Sequence, residues 1–161
     1  MNSAKLNDWV QVIGIFALVS SLIFVGLQIN QTSEIALSQV SQARASSAAE
    51  TAMTLASNEH AMSAFGKGYA GQDDTITEAE ALAGYYSVVA ILYLWENNYY
   101  QYQLGFMPED HWRNVRETVK ALMKGNSFVR SAIRRRSTSL RPSMRELLDE
   151  IDAEVRKDLG E

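Results

Sequence analysis

Glu96 is the side chain best placed to do chemistry. It shares a stripe with Tyr85, Val89, Leu92, Tyr99 and Gln103, and steps of three and four put these residues on one helical face. A carboxylate among apolar and aromatic neighbours needs a cation or several donors. Arg113, Arg116 and Arg44 are the candidate partners, and the expectation is a core ion pair that fixes helix register. The alternative is a general acid or base with a raised pKa. It lacks a second member, because no Ser-His-Asp arrangement can be nominated from sequence order.

Other chemistries fare less well. His60 and His111 are the two histidines, and neither follows a Glu by three residues, the spacing that carboxylate-bridged metal bundles use. His111 has Glu109 and Asp110 directly before it, and these point elsewhere on a helix. The chain has no cysteine, which excludes a disulfide-stapled module, thiol catalysis and cysteine metal sites. No metal and no cofactor are expected. Gly66, Gly68 and Gly71 only superficially resemble a phosphate loop, since no strand precedes them and no Lys-Ser pair follows. Six of the seven tyrosines fall between residues 85 and 102. They read as core rings with hydroxyls reaching polar partners, or as a ligand cage.

The elements that must position these groups are all helical. Residues 9–29 run for 21 positions without a charge, and thirteen are Val, Ile, Leu or Phe. A helix of that length spans roughly 30 Å, the thickness of a bilayer core. Those thirteen side chains favour the membrane by about 4 to 8 kcal/mol on an insertion scale. The stretch exceeds the ~7–15 apolar residues of a signal peptide core, so an uncleaved anchor is expected. Residues 1–8 form a short tail before it. The helix should continue through an alanine- and serine-rich extension, residues 30–57.

A helical domain over residues 58–161 follows. EHAMSAFGKGY forms a short helix that ends in a glycine-rich loop. Thr77 and Glu80 form a capping box for the next helix. Its YYSVVAILYLW run is hydrophobic all round but too short to cross a bilayer, so it should be the buried centre of the domain. Gly105 should stop this helix, Pro108 should open the next, and Gly125 should end that one. Helices near 127–136 and from Pro142 to Leu159 complete the chain. The fold class expected is all-α: one long N-terminal helix, transmembrane in its first half, plus a bundle of four to five helices.

Charge is strongly segregated. Residues 34–110 carry ten acidic and two basic side chains, residues 111–145 one acidic and ten basic, and residues 146–161 seven acidic and two basic. The basic segment is expected to pack beside the acidic ones. The sharper alternative is that Arg134, Arg135 and Arg136 meet anionic lipid or nucleic acid. Nearby carboxylates repel the same phosphates, which makes nucleic acid the weaker partner.

The segments SLIFVGLQINQT (21–32), ENNYYQYQLGFMPEDHW (96–112) and SLRPSMRELLDE (139–150) together resemble an uncharacterised family of small bacterial inner-membrane proteins, each with one span and a C-terminal all-helical domain. The resemblance covers most of the chain. It implies a cytoplasmic helical domain and carries no activity or catalytic residue. The family usually has a basic residue just after the span, where this chain has Asn30; the first positive charge downstream is Arg44.

Within the span, Gln11, Gly14, Leu18, Ser21, Val25 and Gln28 recur at alternating steps of three and four, with Ala17 beside them. Close approach of small residues and interhelical hydrogen bonds are what hold helices together in lipid. The sequence therefore points to a membrane-anchored, non-enzymatic interaction or scaffold protein. Its partners would be the bilayer and a second copy or another membrane protein. A small-molecule-binding module or enzyme using the tyrosine-rich helix and Glu96 is the second reading. Contact with anionic lipid or nucleic acid through the arginines is the third.

Overall fold

The computed structural model describes residues 3–161; Met1 and Asn2, part of the expected tail, lie outside them. The protein is all-α, with no strand among the described residues. Helix α1 covers Ser3–Ser57, α2 Glu59–Tyr69, α3 Glu78–Gln103, α4 Glu109–Gly125, α5 Ser127–Ser137 and α6 Pro142–Leu159. The expected tail is helical from Ser3 onward. A single 3-10 turn at Asp73–Thr75, not foreseen from sequence, sits between α2 and α3.

The chain divides into two compact units, residues 1–42 and 43–161. In the first, α1 is apolar and long enough to cross a bilayer, with a mean hydropathy of 2.4 over its most apolar stretch and none of that stretch buried. The second unit takes in the last turns of α1 as well as α2–α6. Residues 43–57 thus belong with the bundle, whereas the sequence groups them with the extension.

Local signals set the helix ends of the second unit. Asn58 caps α2 by accepting from the Ala61 N–H. Thr77 and Glu80 form the expected reciprocal capping box at α3. Gly105 has φ +77° where the chain turns after α3, a backbone conformation that glycine adopts at little cost. Pro108 is the N-cap of α4. Asn126 closes α4 and caps α5.

The core joins Val88, Leu92 and Trp95 of α3 to Trp112, Val119 and Met123 of α4, Val129 and Ile133 of α5, and Met144, Leu148, Ile151 and Val155 of α6. Helices α2, α3 and α5 meet closely at Gly84, where an added Cβ would come within 2.7 Å of Phe128 and 2.9 Å of Ala64. Helix α3 corrects one expectation. It is central, but not buried all round: Val88, Leu92 and Trp95 are buried, while Leu82, Tyr86, Tyr93 and Tyr100 are exposed. So few short neighbours cover only one side of a 26-residue helix.

Two carboxylates brace the bundle. Glu80 accepts from Lys67 Nζ at 2.6 Å, Ser63 Oγ at 2.5 Å and the Thr77 N–H at 2.8 Å. Lys67, then Ser63 and Thr77, hold its carboxyl down at about 2, from an ordinary 4.5. Glu154 on α6 takes Arg116 and Lys120 from α4, and these likewise hold it at about 2. Both groups have lowered folded-state pKa values, so their contribution is present above pH 4.5 and is lost as pH falls toward 2. Stability against urea should therefore be level above about pH 5 and decline steadily below it. A flat profile from pH 5 to 2 would contradict these contacts.

Candidate functional site

The sequence-nominated groups do not converge. Glu96 is half-buried on α3, and it pairs with none of Arg44, Arg113 or Arg116. Its Oε1 instead accepts from the backbone N–H of Arg141 at 2.8 Å. Arg141 is the N-cap of α6, which has no side-chain cap of its own. The carboxylate thus takes the N-cap N–H and lies at the positive end of that helix. The stripe correctly places Glu96 on a bundle-facing side, but its partner is a distant helix terminus. Glu96→Ala should cost only about 0.3–1 kcal/mol, the scale of a charge at a helix terminus. A loss near the ~3–5 kcal/mol of a broken buried ion pair would contradict this role.

The three nominated arginines have other work. Arg44 donates to Gln101 Oε1 at 2.9 Å and to the Phe106 carbonyl at 3.2 Å, tying the end of α1 to the end of α3. Arg116 pairs with Glu154 and with Glu117. Arg113 is exposed and has no ion pair within 4 Å among the described residues.

The tyrosine-rich segment splits into a packed half and an exposed half. Tyr99 and Tyr102 lie against Trp112, with ring centroids 5.0 and 5.3 Å away. Tyr102 also donates to Glu109 at 2.5 Å, and the carboxylate pushes its phenol pKa up. Tyr99 and Tyr102 also stack on one another, with ring centroids 6.4 Å apart. Tyr86, Tyr93 and Tyr100 face solvent.

A shallow groove runs between residues 43–57 and α3. One part, of 230 Å³, is lined by Glu50, Thr51, Thr54, Leu55, Ser87 and Ala90. The adjoining part, of 330 Å³, adds Arg44, Tyr93 and Gln101 among others. Neither part is lined by Glu96. No group of three or more His, Cys, Asp or Glu able to hold a metal occurs among the described residues.

The arginine cluster separates into three environments. Arg134 is paired with Asp152 at 2.9 Å, alongside Arg156. Arg135 lies over the Tyr85 ring at 5.4 Å. Arg136 lies over Tyr93 at 5.7 Å and donates to its hydroxyl at 2.6 Å. The basic and acidic blocks do interlock: α4 and α6 are joined through Arg116, Lys120 and Lys124 to Glu154 and Asp158.

Two structurally important residues were not picked out from sequence. Asn126 is fully buried; its Oδ1 accepts from the Val129 N–H and its Nδ2 donates to the Phe65 carbonyl. An Asn just before a helix is an N-cap signal, so half of its role was readable. Arg141, over the Tyr100 ring at 4.3 Å, had no such signal.

The span-face residues Gln11, Gly14, Ala17, Ser21 and Gln28 are all exposed on α1, and an added Cβ at Gly14 meets nothing within 4 Å. Comparison with known proteins finds no matching family model, no matching curated protein and no matching solved structure.

Proposed function

We propose that this chain is a single-span membrane protein, non-enzymatic, that acts as an interaction or scaffold protein and self-associates along one face of α1. In line with the resemblance noted above, we place it in a bacterial inner membrane with the bundle on the cytoplasmic side. The uncovered apolar half of α1 supports the anchor: a soluble core helix of that hydropathy would be buried, and this one is not.

One observation carries the self-association. The span stripe Gln11, Gly14, Leu18, Ser21, Val25, Gln28 continues at the same spacing through Thr32, Ile35, Gln39, Gln42, Ser46, Ala49, Met53 and Ala56. Over residues 43–57 the half-buried positions are Arg44, Thr51 and Leu55. At 3.6 residues per turn these lie about half a turn from Ser46, Ala49, Met53 and Ala56, which are all exposed. Within the first unit, Gln11 to Gln42 of the stripe are likewise exposed.

In lipid the contacts available are close packing at Gly14 and Ser21 and hydrogen bonds from Gln11 and Gln28, each bond contributing about 0.6 kcal/mol and at most ~2. Gly14→Leu with Ser21→Leu should sharply reduce cross-linking through α1 in a membrane cross-linking assay, while the protein stays in the pellet after an alkaline carbonate wash. Unchanged oligomers would remove this face. Release of the wild-type chain by carbonate would remove the anchor.

A further inference from the structure

Half of the fourteen Lys and Arg side chains in residues 43–161 are paired with carboxylates. Lys67, Arg116, Lys120, Lys124, Arg130, Arg134 and Arg156 all have ion-pair partners. Arg135, Arg136 and Arg141 have no carboxylate within 4 Å of their side chains among the described residues. All three instead lie over tyrosines of α3, namely Tyr85, Tyr93 and Tyr100. The only carboxylate contact in this row is Glu96, which touches the backbone of Arg141. Arg135 and Arg141 keep their N–H edges free of carboxylates in this arrangement, while Arg136 spends one on the Tyr93 hydroxyl; arginine and tyrosine are both enriched at protein interfaces.

An uncompensated acidic feature exists on the same unit. Asp73 and Asp74 in the 3-10 turn and Glu78 in the first turn of α3 are exposed. Their side chains make no ion pair or hydrogen bond among the described residues. Arg135, Arg136 and Arg141 on one surface are thus complementary in charge to the three exposed carboxylates of this turn.

We propose that the Arg135–Arg136–Arg141 row docks the Asp73–Asp74–Glu78 turn of a second copy of this chain. The inference rests on the self-association reading and adds a second surface to it. The two patches differ, so the contact is head-to-tail, and together with a two-fold α1 pair it builds an array rather than a closed dimer.

The absence of natural cysteine makes the test clean. Two differently tagged full-length copies are co-reconstituted in phosphatidylcholine vesicles, one carrying Gln72→Cys and the other Ser139→Cys, and treated with a short bismaleimide. A mixed-tag product is expected. Arg135→Glu with Arg136→Glu in the Ser139→Cys copy should lower its yield about tenfold or more. Asp73→Arg with Asp74→Arg in the Gln72→Cys copy should restore it. Ala49→Cys cross-linking in parallel reports on α1 alone. No mixed product while Ala49→Cys still cross-links overturns this inference and leaves the α1 reading standing; loss of both removes both. A mixed product indifferent to the charge reversals, or one that forms only when phosphatidylglycerol is added, also overturns it, the latter assigning the row to lipid headgroups.

Discussion

Asn126→Ala is expected to destabilise the bundle by about 1.5–2.5 kcal/mol. The residue is fully buried, and its amide works in two directions. Its oxygen caps α5 at the Val129 N–H, and its nitrogen reaches α2 at the Phe65 carbonyl, both at 3.0 Å. Removing a cap costs about 1 kcal/mol. Losing the buried hydrogen bond to the Phe65 carbonyl adds about 0.5–1.5 kcal/mol. Gly68 belongs to the same joint, because a Cβ there would lie 2.2 Å from the Asn126 oxygen. Urea denaturation of the detergent-solubilised chain, followed through Trp95 and Trp112 in a Trp9→Phe background, measures the loss. A change below about 0.5 kcal/mol, the size of an ordinary surface substitution, would show that the amide is idle.

Leu92 and Tyr93 are neighbours on α3 with opposite fates, and replacing each with alanine should separate them. Leu92 is 0% exposed in the middle of the core and Tyr93 is 48% exposed. Leu92→Ala should cost about 2–5 kcal/mol, the transfer term plus the cavity left behind. Tyr93→Ala gives up a ring contact and a hydrogen bond to Arg136 at the surface, and should cost no more than about 1 kcal/mol. The same denaturation assay reads both. Equal losses would mean that α3 is enclosed on all sides.

That pair also marks where the sequence stops being informative. Residues 85–95 are apolar on every face, so periodicity has no direction to report. The buried side is chosen by where α2, α4 and α5 dock. Glu96 is a related case: its stripe was readable, but its contact depends on the N-terminus of α6 arriving 45 residues later. Helix boundaries fared better because their causes are local. The Thr77–Glu80 capping box, the Gly105 turn and the start of α6 at Pro142 each depend on residues within one turn. The charge blocks foretold that acidic and basic segments interlock. They did not foretell that Arg135, Arg136 and Arg141 would be left over tyrosines.

Cysteine scanning of residues 39–56 in native membranes tests the central claim, self-association along α1, most directly. Each position is converted singly in the otherwise cysteine-free chain and oxidised under mild conditions. Cross-linked dimers should peak at residues 39, 42, 46, 49, 53 and 56, repeating every seven positions, and fall to background at 44, 51 and 55. Absence of dimers at every position, or a maximum on the Arg44, Thr51 and Leu55 side, would contradict the account.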